Sequence, residues 1–201
     1  MGAVFPDLGG RFLLASKSPR RADLLRLIGV RFETAVSFVN EDNEKNLSPG
    51  EHVTELAGKK ALSIAAQVEE GSVLGADTIV VLEGAILGKP ESRQHAIEML
   101  RLLSGKWHEV FTGIALVSVD RRTMLSSYER TRVKVKELTS LEIESYVDSG
   151  EPMDKAGSYG IQGLGAIFIE RVDGCYFNVM GLPVSKLYSM ALKMKTCFAG
   201  N

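Results

Sequence analysis

Leu13-Leu14-Ala15-Ser16-Lys17-Ser18-Pro19-Arg20-Arg21 is the stretch on which the fold turns. Phe12 to Ala15 is a short apolar run and predicts a buried strand at about 12–16. Ser18-Pro19 then predicts a helix start, with Ser at the N-cap and Pro at the first helical position. Leu24, Leu25 and Ile28 give that helix an apolar face, and Gly29 ends it. Arg20 and Arg21 fall in the first turn, where cations oppose the helix macrodipole, and Arg21 stands where a capping box would place Glu or Gln. A strand feeding a helix whose positive end carries two arginines is a poor choice for a free helix and a good cradle for an anion. Ser16, Lys17 and Ser18 add donors to it, so phosphate binding is the reading preferred over two solvated arginines.

The remaining chain alternates strand and helix signals. An extended segment follows near 31–37, then a polar loop from Asn40 to Asn46. Ser48-Pro49-Gly50-Glu51 starts a second helix, with Glu51 at the capping-box position, and that helix runs to about Val68. Val73 to Leu87 predicts a hairpin turning at Glu83-Gly84. A helix at about 91–103, a strand pair at 110–119 and 125–135, and a helix from Thr139 or Ser140 to about Gly150 come next. The glycine-rich stretch 157–165 leads to a predicted strand at 166–172 and a last amphipathic helix from Pro183 to about Lys195. This alternation predicts an α/β protein with a mixed sheet, and no linker, repeat or low-complexity segment interrupts it. The expectation is a single domain spanning 1–201.

Composition narrows the function classes. The formal net charge of −1 gives no global attraction to nucleic acid or to an anionic membrane, so any positive site must be local. No window approaches the ~18 apolar residues of a membrane span. The first ten residues do not resemble a signal peptide, and two cysteines, Cys175 and Cys197, in no metal spacing suit a reducing compartment. A cytoplasmic protein is expected.

Asp77 lies inside the apolar run 73–81, either at the end of a buried strand facing a cleft or capping a turn. Glu41, in the polar loop, gains interest only as a second oxygen ligand beside Asp77 for Mg²⁺ or Mn²⁺. Lys89 is held extended by Pro90, and Lys60 sits near the buried face of its helix, between Leu56 and Ile64. Gly84 and Gly88 do not form a nucleotide P-loop, because Glu83 stands where the first Gly belongs and Pro90 replaces Ser or Thr. His52, His95 and His108 show no zinc spacing, no Gly-x-Ser-x-Gly elbow or triad is present, and Ile79 stands where an aspartyl-phosphate nucleophile at Asp77 would need its acid.

Taken in order, the segment 14–21, Gly75-Ala76-Asp77-Thr78-Ile79-Val80, Gly88-Lys89-Pro90, Leu103-Ser104-Gly105 with His108, Val110, Thr112 and Gly113, the run 154–163 and Gly181-Leu182-Pro183 resemble the Maf family of nucleoside triphosphate pyrophosphatases, also called septum formation proteins. The resemblance covers Leu13 to about Leu187. It implies metal-dependent cleavage between the α- and β-phosphates, and an α/β fold with two lobes around a cleft, similar to inosine triphosphatases. Ser16, Arg20, Arg21, Lys60 and Lys89 match its triphosphate-binding positions, and Glu41 and Asp77 its metal-holding and water-activating acids. Arg20 after Pro19, Thr78 after Asp77, and Tyr159-Gly160-Ile161-Gln162 resemble the branch acting on dTTP and UTP, with Thr78 and Gln162 as base-selecting candidates. The alternatives are the same chemistry on 7-methyl-GTP or another purine nucleotide, and a non-catalytic nucleotide-binding regulator of cell division. A homodimer is the assembly the resemblance implies.

Overall fold

The computed structural model describes residues 4–39 and 47–199, with side chains to Thr196. It is a mixed α/β structure with a central sheet flanked by helices. Strands β1 (Phe12–Ala15), β2 (Glu33–Ala35), β3 (Ser72–Leu82), β4 (Ala85–Leu87), β5 (Trp107–Ser118), β6 (Thr123–Val135) and β7 (Ile169–Asp173) alternate, among the described residues, with six α-helices. These are α1 (Pro19–Leu27), α2 (Pro49–Ala65), α3 (Arg93–Leu103), α4 (Ser140–Asp148), the short α5 (Tyr176–Val179) and α6 (Val184–Ala199). The seven strands are hydrogen-bonded in the order β2-β1-β3-β5-β6-β7, with β4 paired to β3. β1 is parallel to both β2 and β3, whereas β3–β4 and β6–β7 are antiparallel, so the sheet is mixed.

Local signals account for most boundaries. Pro19 and Pro49 open their helices, and the Glu51 carboxylate accepts from both the N–H and the hydroxyl of Ser48, at 3.1 and 2.6 Å. Glu83 and Gly84 turn the β3–β4 hairpin with φ of 52° and 86°, both in the left-handed region that a two-residue type I′ turn requires. The helix expected from 91 begins at Arg93, because the Ser92 hydroxyl accepts the His95 N–H and acts as its cap.

One expectation is corrected, and one element was not foreseen. The strand placed at 166–172 is confined to Ile169–Asp173, and Gly163–Phe168 instead forms a 3-10 turn. The N–H groups of Leu164 and Gly165 are taken by Glu151, and Gly163 adopts φ +72°, so this backbone is not laid out for a ladder. The short helix Tyr176–Val179 carried no periodicity to mark it in the sequence.

The chain divides into two compact units. One comprises 1–77, 112–129 and 181–201. Its buried core includes Leu13, Ala15, Ala57, Ala61, Ile64, Val73, Ala115 and Val117. The other comprises 78–111 and 130–180, and α3 and α4 bring Ile97, Leu100, Ile143 and Val147 to a core shared with Val80, Val110, Val133, Tyr159 and Phe168.

Candidate functional site

In the first unit the site is built where β1 ends beside the middle of β3. Their parallel register pairs Ala15 with Gly75, so Ser16 and the start of α1 leave the sheet next to Ala76 and Asp77. Strand alternation sends Asp77 to the same face as Gly75, and α2 crosses that face. A Cβ at Gly75 would lie 2.1 Å from the Ala57 carbonyl oxygen and 2.7 Å from the Ala61 N, and one at Gly113 would lie 2.1 Å from the Val53 carbonyl oxygen. Helix α2 therefore lies backbone-close on β3 and β5, and only glycine fits beneath it. That approach delivers Lys60, whose Nζ donates to Asp77 Oδ1 at 2.7 Å. Lys60 is 8% exposed and Asp77 6%, so the pair is buried, and the lone carboxylate of an apolar strand has its charge partner.

The phosphate cradle departs from its sequence reading. Ser18 holds the N-cap backbone position without a capping bond from its hydroxyl. Arg21 is not a solvated cation waiting for an anion. It is 8% exposed, its Nε donates to the Gly181 carbonyl oxygen at 2.8 Å, and its Nη1 donates to Ser16 Oγ at 2.9 Å. The Ser18 N–H donates to the same Ser16 oxygen at 3.2 Å. Arg21, read from sequence as part of an anion cradle, is thus already engaged within the protein and ties α1 to Gly181, ahead of the last helix. Arg20 is half-buried beside it, and Lys17 is exposed.

In the second unit Thr78 is half-buried on β3, on the same face as Val80 and opposite to Asp77. Val80 packs under the glycine-rich stretch: a Cβ at Gly157 would meet its side chain at 3.1 Å. The Gly157 N–H also donates to the Gly88 carbonyl oxygen at 3.0 Å, which fastens Gly88-Lys89-Pro90 to that stretch. Lys89 and Gln162 are both exposed. The structure thus gathers Ser16, Arg21, Lys60 and Asp77 in one unit, and places Thr78, Lys89 and Gln162 on mutually fastened segments of the other. Glu41 lies outside the described residues.

Sequence reasoning missed the groups that hold the glycine-rich stretch. Glu151 accepts hydrogen bonds from the N–H groups of Leu164 and Gly165 and from the Tyr146 hydroxyl. Burial pushes its carboxyl up, but those three donors and the neighbouring Lys155 outweigh it and hold the group below the usual carboxylate range. Burial pushes the phenols of Tyr146 and Tyr159 well up, so both keep their protons. The Tyr159 hydroxyl lies 2.7 Å from His108 Nε2, and burial pushes that imidazole down to about 4. Glu151 stands before Pro152 in a polar turn, and nothing in its spacing distinguishes it from a solvated acid.

Among the described residues no group of three or more His, Cys, Asp and Glu side chains is arranged to hold a metal, and no helix is long and apolar enough to cross a membrane. Asp77 is a hard oxygen donor of the kind Mg²⁺ takes, and its Oδ1 is engaged by Lys60 Nζ at 2.7 Å.

Residues 11–194 match the family model described as Maf-like protein. The chain is 51% identical over 182 residues to a dTTP/UTP pyrophosphatase of Desulforamulus reducens, covering 90% of this chain and 95% of that one. It is 52% identical over 184 residues to a dTTP/UTP pyrophosphatase of Acetivibrio thermocellus, covering 88% and 92%. The solved structure of the Staphylococcus aureus Ham1 protein is similar with a TM-score of 0.46 and 15% identity, over 80% of each chain. The glycine platform under α2, the Lys60–Asp77 pair and the Ser16–Arg21 corner are all built from residues within the matched span, and the chain belongs to the Maf-like protein family.

Proposed function

We propose that this protein is a nucleoside triphosphate pyrophosphatase that hydrolyses dTTP and UTP to the monophosphate and pyrophosphate, with residues 1–201 acting as one catalytic domain. The observation that carries the reading is the buried Lys60–Asp77 pair beside the Ser16–Arg21 corner: a fixed carboxylate next to cations and hydroxyl donors suits phosphoanhydride hydrolysis. The names of relatives about half identical over most of the chain support the same substrates.

A triphosphate carries about four negative charges at neutral pH, and Arg20 and Lys89 offer cations to it. Lys60 and Arg21, already engaged by Asp77 and by Ser16 and the Gly181 carbonyl, add positive charge that is partly taken up in holding the site together. Water attacks the α-phosphorus, the bond to the bridging oxygen of the β-phosphate breaks, and pyrophosphate leaves with its charge stabilised by these cations. Lys60 fixes the rotation of the Asp77 carboxylate, which accepts the proton of the attacking water. A divalent cation, Mg²⁺ or Mn²⁺, would be held by Asp77 and Glu41 and would neutralise phosphate charge when bound. Thr78 and Gln162 select the base: the Gln162 amide offers one donor and one acceptor to the carbonyl and ring N–H edge of uracil or thymine.

We also infer a cytoplasmic homodimer. The free thiol of Cys175 suits a reducing compartment, and sedimentation tests the assembly.

The deciding experiment is a panel of nucleoside triphosphates with Mg²⁺ or Mn²⁺, assayed for monophosphate and pyrophosphate. Release of pyrophosphate from UTP and dTTP well above ATP, GTP and 7-methyl-GTP is expected. Preference for a purine overturns the base assignment, and binding without turnover leaves a nucleotide-binding regulator.

A further inference from the structure

We propose that Tyr146 and Glu151 form a clasp that fixes the Gly160–Gly165 loop and so positions Gln162 for base selection; the inference rests on the reading of Gln162 given above. The clasp grips the loop on both sides of that residue. Upstream, the Gly160 N–H donates to the Tyr146 hydroxyl at 3.1 Å. Downstream, the Leu164 N–H donates to Glu151 Oε2 at 2.9 Å and the Gly165 N–H to Glu151 Oε1 at 3.1 Å. The two grips are joined, because the Tyr146 hydroxyl donates to Glu151 Oε1 at 2.9 Å. Ile161, Gln162 and Gly163 are left as a short span between fixed points.

The loop has little room to shift. A Cβ at Gly163 would lie 2.6 Å from Glu151 Oε2, and one at Gly165 would lie 2.5 Å from the Gly160 carbonyl oxygen and 2.6 Å from the Tyr146 hydroxyl. The clasp itself stands on rigid ground. Tyr146 is buried and its ring meets Phe168 edge-on, with centroids 5.1 Å apart. Glu151 is held by the Ser149 hydroxyl at its N–H and by Lys155 Nζ at its carbonyl.

Gln162, by contrast, is exposed, so packing does not set its direction. An amide that must present a donor and an acceptor to a flat base edge depends on a fixed backbone for its aim. Tyr146 and Glu151 are positioning residues, and they act through Gln162.

The test compares Glu151→Gln, the near-isosteric Tyr146→Phe, Gln162→Ala and the Glu151→Gln/Gln162→Ala double variant. The readouts are kcat and KM for UTP, dTTP and ATP, together with amide hydrogen exchange at Leu164 and Gly165 in the nucleotide-free protein. Each clasp variant is expected to speed exchange at those two amides. Each should also lower the UTP-over-ATP ratio of kcat/KM by roughly five- to tenfold, the worth of an aligned hydrogen bond, chiefly through KM. The double variant should lose no more selectivity than Gln162→Ala alone. If Gln162→Ala lowers the ratio and neither clasp variant does, the clasp is overturned and the base reading stands. If the double variant loses the product of the two single effects, the clasp does not act through Gln162 and the proposal fails. If Gln162→Ala leaves the ratio unchanged, the base reading fails and takes this inference with it. Should Glu151→Gln fail to fold, Tyr146→Phe decides on the same criteria.

Discussion

Lys60 Nζ and Asp77 Oδ1 are 2.7 Å apart, and they meet because residue 75, two positions before the carboxylate, has no side chain. The pair joins the middle of a helix to the middle of a strand and is buried on both sides. The chemistry assigned to Asp77 depends on that packing as much as on the carboxylate.

Asp77→Asn is expected to lower kcat by about 100-fold or more while leaving nucleotide binding measurable, since it removes a proton acceptor without removing the phosphate-binding cations. Steady-state pyrophosphate release and equilibrium binding of UTP, measured on the same preparation, check this. Turnover within about threefold of the parent would sink the assignment.

Gly75→Ala inserts a methyl group into the Ala57 carbonyl. The expected cost is about 1–3 kcal/mol of stability, with a loss of turnover larger than the fraction unfolded explains, because α2 must lift and carry Lys60 from Asp77. Urea denaturation alongside specific activity separates the two effects.

Arg21→Ala should destabilise the nucleotide-free protein by about 1–3 kcal/mol, because it removes the Nε donor to the Gly181 carbonyl and one of the two donors to Ser16 Oγ in a buried setting. Arg20→Ala, at a half-buried position, should cost less stability and raise KM for UTP. Equal melting temperatures for the two variants would contradict this division of labour.

Gln162→Ala should narrow the preference for UTP or dTTP over ATP by about tenfold. Competition assays with paired nucleotides measure the ratio directly. An equal fall on every nucleotide would make the amide a tie for its own loop.

His108 is held neutral in the folded state, with its pKa pushed by burial from 6.5 to about 4. The unfolded chain therefore binds the proton more readily, and this group's contribution is complete above pH 6.5 and lost as pH falls towards 4. The loss should be on the order of 3 kcal/mol. Urea midpoints measured from pH 7 to pH 4 should fall more steeply in the parent than in His108→Gln, which has no proton to gain.

The helix starts at Pro19 and Pro49, the Ser48–Glu51 box and the Glu83-Gly84 turn were legible because each is settled within a few residues. So was the oddity of Asp77 in an apolar run. The glycine-rich stretch was legible as a feature and misread just beyond its end, where 166–168 was expected to be strand and instead completes a 3-10 turn. Its backbone donors go to Glu151, an acid whose partners are thirteen and fourteen positions away in sequence.

The sequence by itself determined the alternation of strands and helices, the motifs that mark the family, and which residue types could meet a triphosphate. These rest on backbone propensity, side-chain period and chemistry, all of which act locally. Tertiary structure alone decided that Arg21 reaches a carbonyl 160 positions away and that Lys60 faces Asp77 across 17. It likewise decided that Glu151 holds the loop bearing Gln162. Whether a charged side chain ends in water, in an ion pair or in a backbone clasp depends on which groups the packed core brings within about 3 Å of it, and no local pattern carries that distance.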